Sequence, residues 1–168
     1  MQPARACGAS LYLKNIFRPG ETGTRIGPDT VDKRGDVKSV SCVRDLAALK
    51  VYATGLGSDE ALLSQSSTAL ANAGVNIYSA ATSQTCVAFL IESEGVSRAK
   101  KALSRISNLP VERVEVSPHA SLICFVGEGI GHVHGIAARV FRAVAELNIN
   151  VQFITAGASM VADQFTVD

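Results

Sequence analysis

Apolar positions recur along the chain with two periods, and the switch from one to the other falls at regular places. Alternating or short apolar runs predict strands over 37–43, 49–54, 75–80, 85–92, 111–117, 122–126, 150–154 and 161–167. Helical spacing predicts a helix that opens at Ser58 or Asp59, runs to Ala73 and stops at Gly74. A second helix, over 94–106, turns Val96, Ala99, Leu103 and Ile106 inward and Arg98, Lys100, Lys101 and Arg105 toward solvent. A third follows Gly135, with Ile136, Val140, Phe141, Val144 and Leu147 on one face, and ends near Asn148. Turn residues at Arg44-Asp45 and Pro118-His119 predict two hairpins.

The order strand, glycine loop, helix, strand therefore occurs twice. A shift of ~74 positions without a gap lays Gly55 on Gly129, Gly57 on Gly131, Ala69 on Ala143, Ala71 on Ala145 and Asn76 on Asn150. The preceding strands register as well, with Val37 on Val111, Val40 on Val114 and Val51 on Phe125. This internal duplication predicts an α+β protein with two small units, 37–110 and 111–168, each an antiparallel sheet with helices on one face. The first unit has a second helix and the second unit has none, so a βαββαβ sandwich is incomplete at its C-terminal end. The bare sheet face predicts a homodimer or a chain cut short. Residues 1–36 differ: a strand within 11–17, a turn over 18–24, then a Gly/Pro-containing polar stretch read as a linker. They read as the tail of something upstream.

At 168 residues, with 47% hydrophobic and 18% charged positions, the chain has the composition of a packed globular protein. A net charge of +1 gives no electrostatic reason to expect nucleic acid or an anionic membrane. Without a long apolar run or a secretion signal, a soluble, cytoplasmic protein is expected. Cys7, Cys42, Cys86 and Cys124 lack the C-x-x-C spacing of a zinc or redox site, and those in strands are expected to be buried. His132 and His134 have no third ligand near in sequence, so no metal is expected.

A glycine loop leading into a helix leaves backbone N–H groups free, where a small carboxylate can sit. In the first unit, Leu56, Gly57, Ser58, Asp59, Ala61, Leu62 and Leu63 form that corner. Asn76, Ile77 and Tyr78 offer carbonyls and an amide for an ammonium. The equivalent positions of the second unit are Ile130, Gly131, Gly135 and Ile136 with Asn150, Val151 and Gln152. Two units packed side by side could hold a free amino acid between them.

The segments that bear these residues resemble a known family. Thr82-Ser83-Gln84-Thr85-Cys86-Val87-Ala88-Phe89-Leu90 is similar to a T-S-E-V-S-x-x-L segment, and Asn150 to Ser159 to N-V-x-x-I-S-Q-G-x-S, both from the tandem ACT domains of aspartate kinases. Residues 13–19, with Gly23-Thr24-Arg25-Ile26, resemble the R-N-T-F-x-P and G-T-x-I segments where that family's kinase domain ends. The resemblance implies ferredoxin-like ACT units behind the tail of a kinase domain. It implies an effector amino acid, threonine or lysine, that feeds back on aspartate phosphorylation in lysine, threonine and methionine biosynthesis.

The family's K-F-G-G-T-S motif is absent, so these residues are expected to be inactive alone, with no cofactor here; ATP and Mg would belong to the covalently linked kinase domain. Lysine-sensitive relatives carry acids where this chain has Tyr78 and Gln84, which favours threonine or another neutral amino acid at the first unit. Ala61 replaces a glycine of the family and narrows that pocket. Two other readings remain open: a stand-alone ACT sensor acting on a separate partner, and a dimerisation module with empty sites.

Overall fold

The computed structural model describes residues 2–27, 37–53, 61–106, 111–127, 130–159 and 161–168. The chain divides into two compact units, Met1–Lys33 and Arg34–Asp168. The first contains a short helix, α1 (Gln2–Ala6), and a two-stranded ribbon of β1 (Leu11–Leu13) against β2 (Thr24–Ile26). Leu13, Ile16 and Phe17 are exposed there, so this ribbon encloses no core of its own.

The second unit is one antiparallel sheet of six strands in the order β4-β5-β3-β6-β8-β7, with three helices. In chain order these are β3 (Ser39–Ala53), α2 (Ala61–Asn72), β4 (Ile77–Thr82), β5 (Cys86–Glu92), α3 (Val96–Leu103), β6 (Val111–Val126), α4 (Ile136–Glu146), β7 (Val151–Thr155) and β8 (Ala162–Val167). A 3-10 turn over Ser93–Gly95 leads into α3, which is shorter than the 94–106 expected.

The two hairpins expected at Arg44-Asp45 and Pro118-His119 do not form. Each pair of short strands is one continuous strand, β3 or β6, and the two run antiparallel along their whole length. Where a reversal was expected there is a bulge, with Asp45 at φ 59° and His119 at φ 64°. One left-handed residue bends and twists a strand without turning it back, and Asp and His tolerate that region better than most residues. Pro118 fits here because a bulge spares it a ladder hydrogen bond.

The 74-residue offset relates these two bulges to each other. It also relates the helix ends, where Gly74 (φ 65°) and Asn148 (φ 56°) occupy the left-handed position that closes α2 and α4. The repeats exchange strand segments: 39–43 pair only with 122–126, while 48–52 pair with both β5 and 113–117. The sheet thus has a first half of β4, β5, the end of β3 and the start of β6, and a second half of β7, β8, the end of β6 and the start of β3.

Three apolar clusters hold it. Leu49, Val51, Val87, Phe89 and Ile91 meet Leu62 and Leu70 of α2 and Ala99 and Leu103 of α3. Phe125, Phe165 and Val167 meet Ile136 of α4, with Val140, Phe141 and Val144 half-buried around them. On the opposite, helix-free face, Leu46, Ala48, Leu90, Ala120 and Leu122 form a third cluster, onto which Tyr78 packs. Cys42, expected to be buried, is exposed, and Cys86 and Cys124 are only half-buried. Cys42 lies two residues beyond Val40 on the same face of β3, and Val40 is exposed as well.

Candidate functional site

Each half sets its helix N-terminus and the start of its edge strand at opposite ends of the sheet. Ile77 pairs with Ile91 and Leu46 with Glu92, so β4 begins at the bulge end of β3. The helix α2 returns the chain to that end, and Ala61 therefore lies at the other. Its twelve residues span about 18 Å. The second half repeats this arrangement. Ile130 to Ile136 follow the Val126 end of β6, while Val151 lies across from Val167, which pairs with Ser121. A free amino acid is only a few ångströms across, so no single half can grip it with both groups.

Among the expected residues of the first corner, Leu56, Gly57, Ser58 and Asp59 lie outside the described residues. Ala61 and Leu62 turn into the core, Leu62 fully, whereas Leu63 is exposed. Ile130 and Ile136 are buried in the second cluster, so only their backbone can face a ligand; Gly131 and Gly135 are exposed. Gly135 precedes α4 at φ 85°, and among the described residues no side chain caps the helix there. First-turn N–H groups of α4 are thus left open to an acceptor.

Asn76, Gln84 and Asn150 are exposed, and Ile77, Tyr78, Val151 and Gln152 are half-buried. Both triplets stand at the outer strands β4 and β7, the two edges of the sheet. The Tyr78 hydroxyl donates to Glu92 Oε1 at 2.9 Å. That carboxylate raises the Tyr78 pKa above the ordinary phenol value, while a hydrogen bond from the Asn76 side chain opposes the shift. Sequence pattern did not single out Glu92. Its position opposite Leu46 and beside the start of β4 follows from strand register alone.

Among the described residues, a small cavity of about 10 Å³ involves an expected site residue: Gln152 and Phe153 of β7 line it with Ala48, Lys50, Ala88, Phe89 and Leu90. It has room for about one water molecule. A larger, open groove of about 290 Å³ runs along the outside of α2, lined by Ser64, Gln65, Thr68, Ala69, Asn72 and Ile106, none of them an expected site residue. A polar group on the helix-free face links Tyr52 to Glu115 at 2.9 Å and sets Arg113 4.1 Å above the Tyr52 ring. His119, His132 and His134 are exposed, and among the described residues no three potential metal ligands cluster.

Residues 123–168 match the family described as the ACT domain. Among curated relatives, the maize bifunctional aspartokinase/homoserine dehydrogenase 2, chloroplastic, is 30% identical over 165 residues, 89% of this chain and 17% of that protein. In fold, the aspartate kinase of Clostridium acetobutylicum matches 99% of this chain and 40% of its own with a TM-score of 0.84 at 22% identity. E. coli aspartokinase III, solved in complex with lysine and aspartate, matches 99% of this chain and 37% of its own with a TM-score of 0.74 at 21% identity. The chain spans less than a fifth of the length of the first curated relatives it matches, 18% and 19%. No helix among the described residues is long and apolar enough to cross a membrane.

Proposed function

This chain has the tandem ACT architecture of aspartate kinase regulatory regions, and on that premise we propose that it binds an end-product amino acid and restrains a covalently linked aspartate kinase domain. The observation that carries this reading is the separation of the two half-sites within each half of the sheet. A helix N-terminus free of side-chain caps can take a carboxylate, and an edge strand with an exposed Asn can take an ammonium. They stand about a helix length apart. Juxtaposing two halves, edge to edge between two copies of the chain, is what would bring complementary groups together. Such a site exists only in the assembled form, so ligand and assembly are linked, and the effector shifts the population of arrangements by its differential affinity.

In this reading residues 1–36 are the end of the kinase domain and its linker, and 37–110 and 111–168 are the two ACT repeats. Phosphorylation of aspartate with ATP and Mg belongs to the kinase domain, not to these residues. Threonine or lysine is the effector; the neutral Tyr78 and Gln84 favour threonine in the first unit. Titration calorimetry of the purified chain against the twenty amino acids tests it. Heat from one or two amino acids, lost in Asn76→Ala or Asn150→Ala, is the expected result. Silence from all twenty would leave only a dimerisation module.

A further inference from the structure

A flat six-stranded sheet would hold β4 and β7 about 24 Å apart, five strand spacings. Yet Ser79 of β4 and Thr155 of β7 share a hydrogen bond between hydroxyl oxygens 2.9 Å apart, and Gln164 Nε2 of β8 donates to Ser79 Oγ at 3.5 Å. The sheet is therefore doubled over, its helix-free face inward. Register agrees: Ser79 pairs with Leu90, Thr155 with Gln164, and Phe153 with Thr166, all on the face turned away from the helices.

The crease is where β3 and β6 both bulge, at Asp45 and His119. Beside it the contact is apolar, through Leu46, Ala120 and Leu122. At the far edge it is polar, made by three neutral groups, with a water-sized cavity behind it. Apolar contact is lost on separation, whereas neutral hydrogen bonds can be exchanged for bonds to water at small net cost. The two ends therefore resist opening unequally.

We propose that Ser79, Thr155 and Gln164 form a latch that holds the two halves of the sheet closed, with the paired bulges at Asp45 and His119 as the hinge. The latch sits on both edge strands, a few residues from Asn76 and Asn150, so a change at one edge reaches the other within a single chain. It needs no ligand, and its failure would be a separate result from failure of the effector reading.

The chain supplies its own probe. Cys124 lies on the inward face of β6, opposite Gln164 and half-buried, while Cys42 is exposed and serves as the internal reference. Iodoacetamide labelling of the full chain, read cysteine by cysteine by mass spectrometry, gives the ratio of the Cys124 rate to the Cys42 rate. In Thr155→Val, which removes one hydrogen bond, that ratio should rise about two- to tenfold; in Ser79→Ala, which removes both, it should rise at least as much, and the double variant should add nothing beyond Ser79→Ala. Thr166→Val removes a buried hydroxyl of the same face that has no partner among the described residues, and should leave the ratio unchanged. An unchanged ratio in both single variants, or an equal rise in Thr166→Val, overturns the latch.

Discussion

The first half of the sheet and the second are built from the same repeat, yet one encloses its core and the other leaves part of its helix side open. At matched positions 74 residues apart, Leu70 is fully buried where Val144 is half-buried, and Val75 is buried where Ile149 is exposed. Val114 packs on the first core, whereas its counterpart Val40 is 65% exposed. The strands and the first helix are common to both halves, so the difference lies in α3, which covers the first half and has no counterpart among the described residues of the second. Burial here is set by which helices lie over a strand, not by the strand's own pattern.

That comparison can be tested by cutting equivalent side chains. Leu70→Ala should destabilise by about 3–5 kcal/mol, the range for a well-packed core leucine. Val144→Ala removes less and leaves a site that water already reaches, so about 1–2 kcal/mol is expected. Urea unfolding midpoints read both, provided the slopes agree. Equal losses would mean that the second half is as well covered as the first, and the contrast would fall.

A smaller effect sharpens the likeness between halves. Gly74 and Asn148 occupy the same left-handed helix-closing position. An added Cβ at Gly74 would meet nothing within 4 Å, so Gly74→Ala tests backbone conformation alone and should cost about 1 kcal/mol. Asn148→Gly should go the other way, by a few tenths of a kcal/mol. Thermal unfolding that moved both variants in one direction would deny that the two ends are equivalent.

Sequence patterning carried the helices, the repeat and the strands β4 and β7, though not their place at the sheet's edges, because each depends on local period and end signals. The Gly74 stop and the helical face of Ile136, Val140 and Val144 are of that kind. It misread Arg44-Asp45 and Pro118-His119, because a bulge and a turn use the same residues. Only the partner strand decides whether the chain reverses or continues, and here β3 and β6 brace each other across both bulges. Cys42 failed for a related reason: alternation tells which face a residue takes, but not whether anything lies over that face. At the candidate site, the pattern named Asn76 and Asn150, and both are exposed. It could not show that each stands a helix length from its own helix N-terminus, nor that Glu92 reaches Tyr78, since both facts come from strand register.

The Tyr78–Glu92 contact gives the smallest expected effect, and one the second half cannot share, since Gln152 stands where Tyr78 does. A carboxylate that accepts a hydrogen bond from the phenol favours the neutral phenol in the folded state, so the folded pKa lies above the unfolded one. Stability from this contact is then fully present below the ordinary phenol pKa and is lost as pH rises through the raised value. Ultraviolet titration should show a phenol step above the ordinary range, and that late step should be missing in Tyr78→Phe. In Glu92→Gln the step should move back toward the ordinary phenol range with the protein still folded. If Glu92→Gln leaves the late step in place, the hydrogen bond is not its cause.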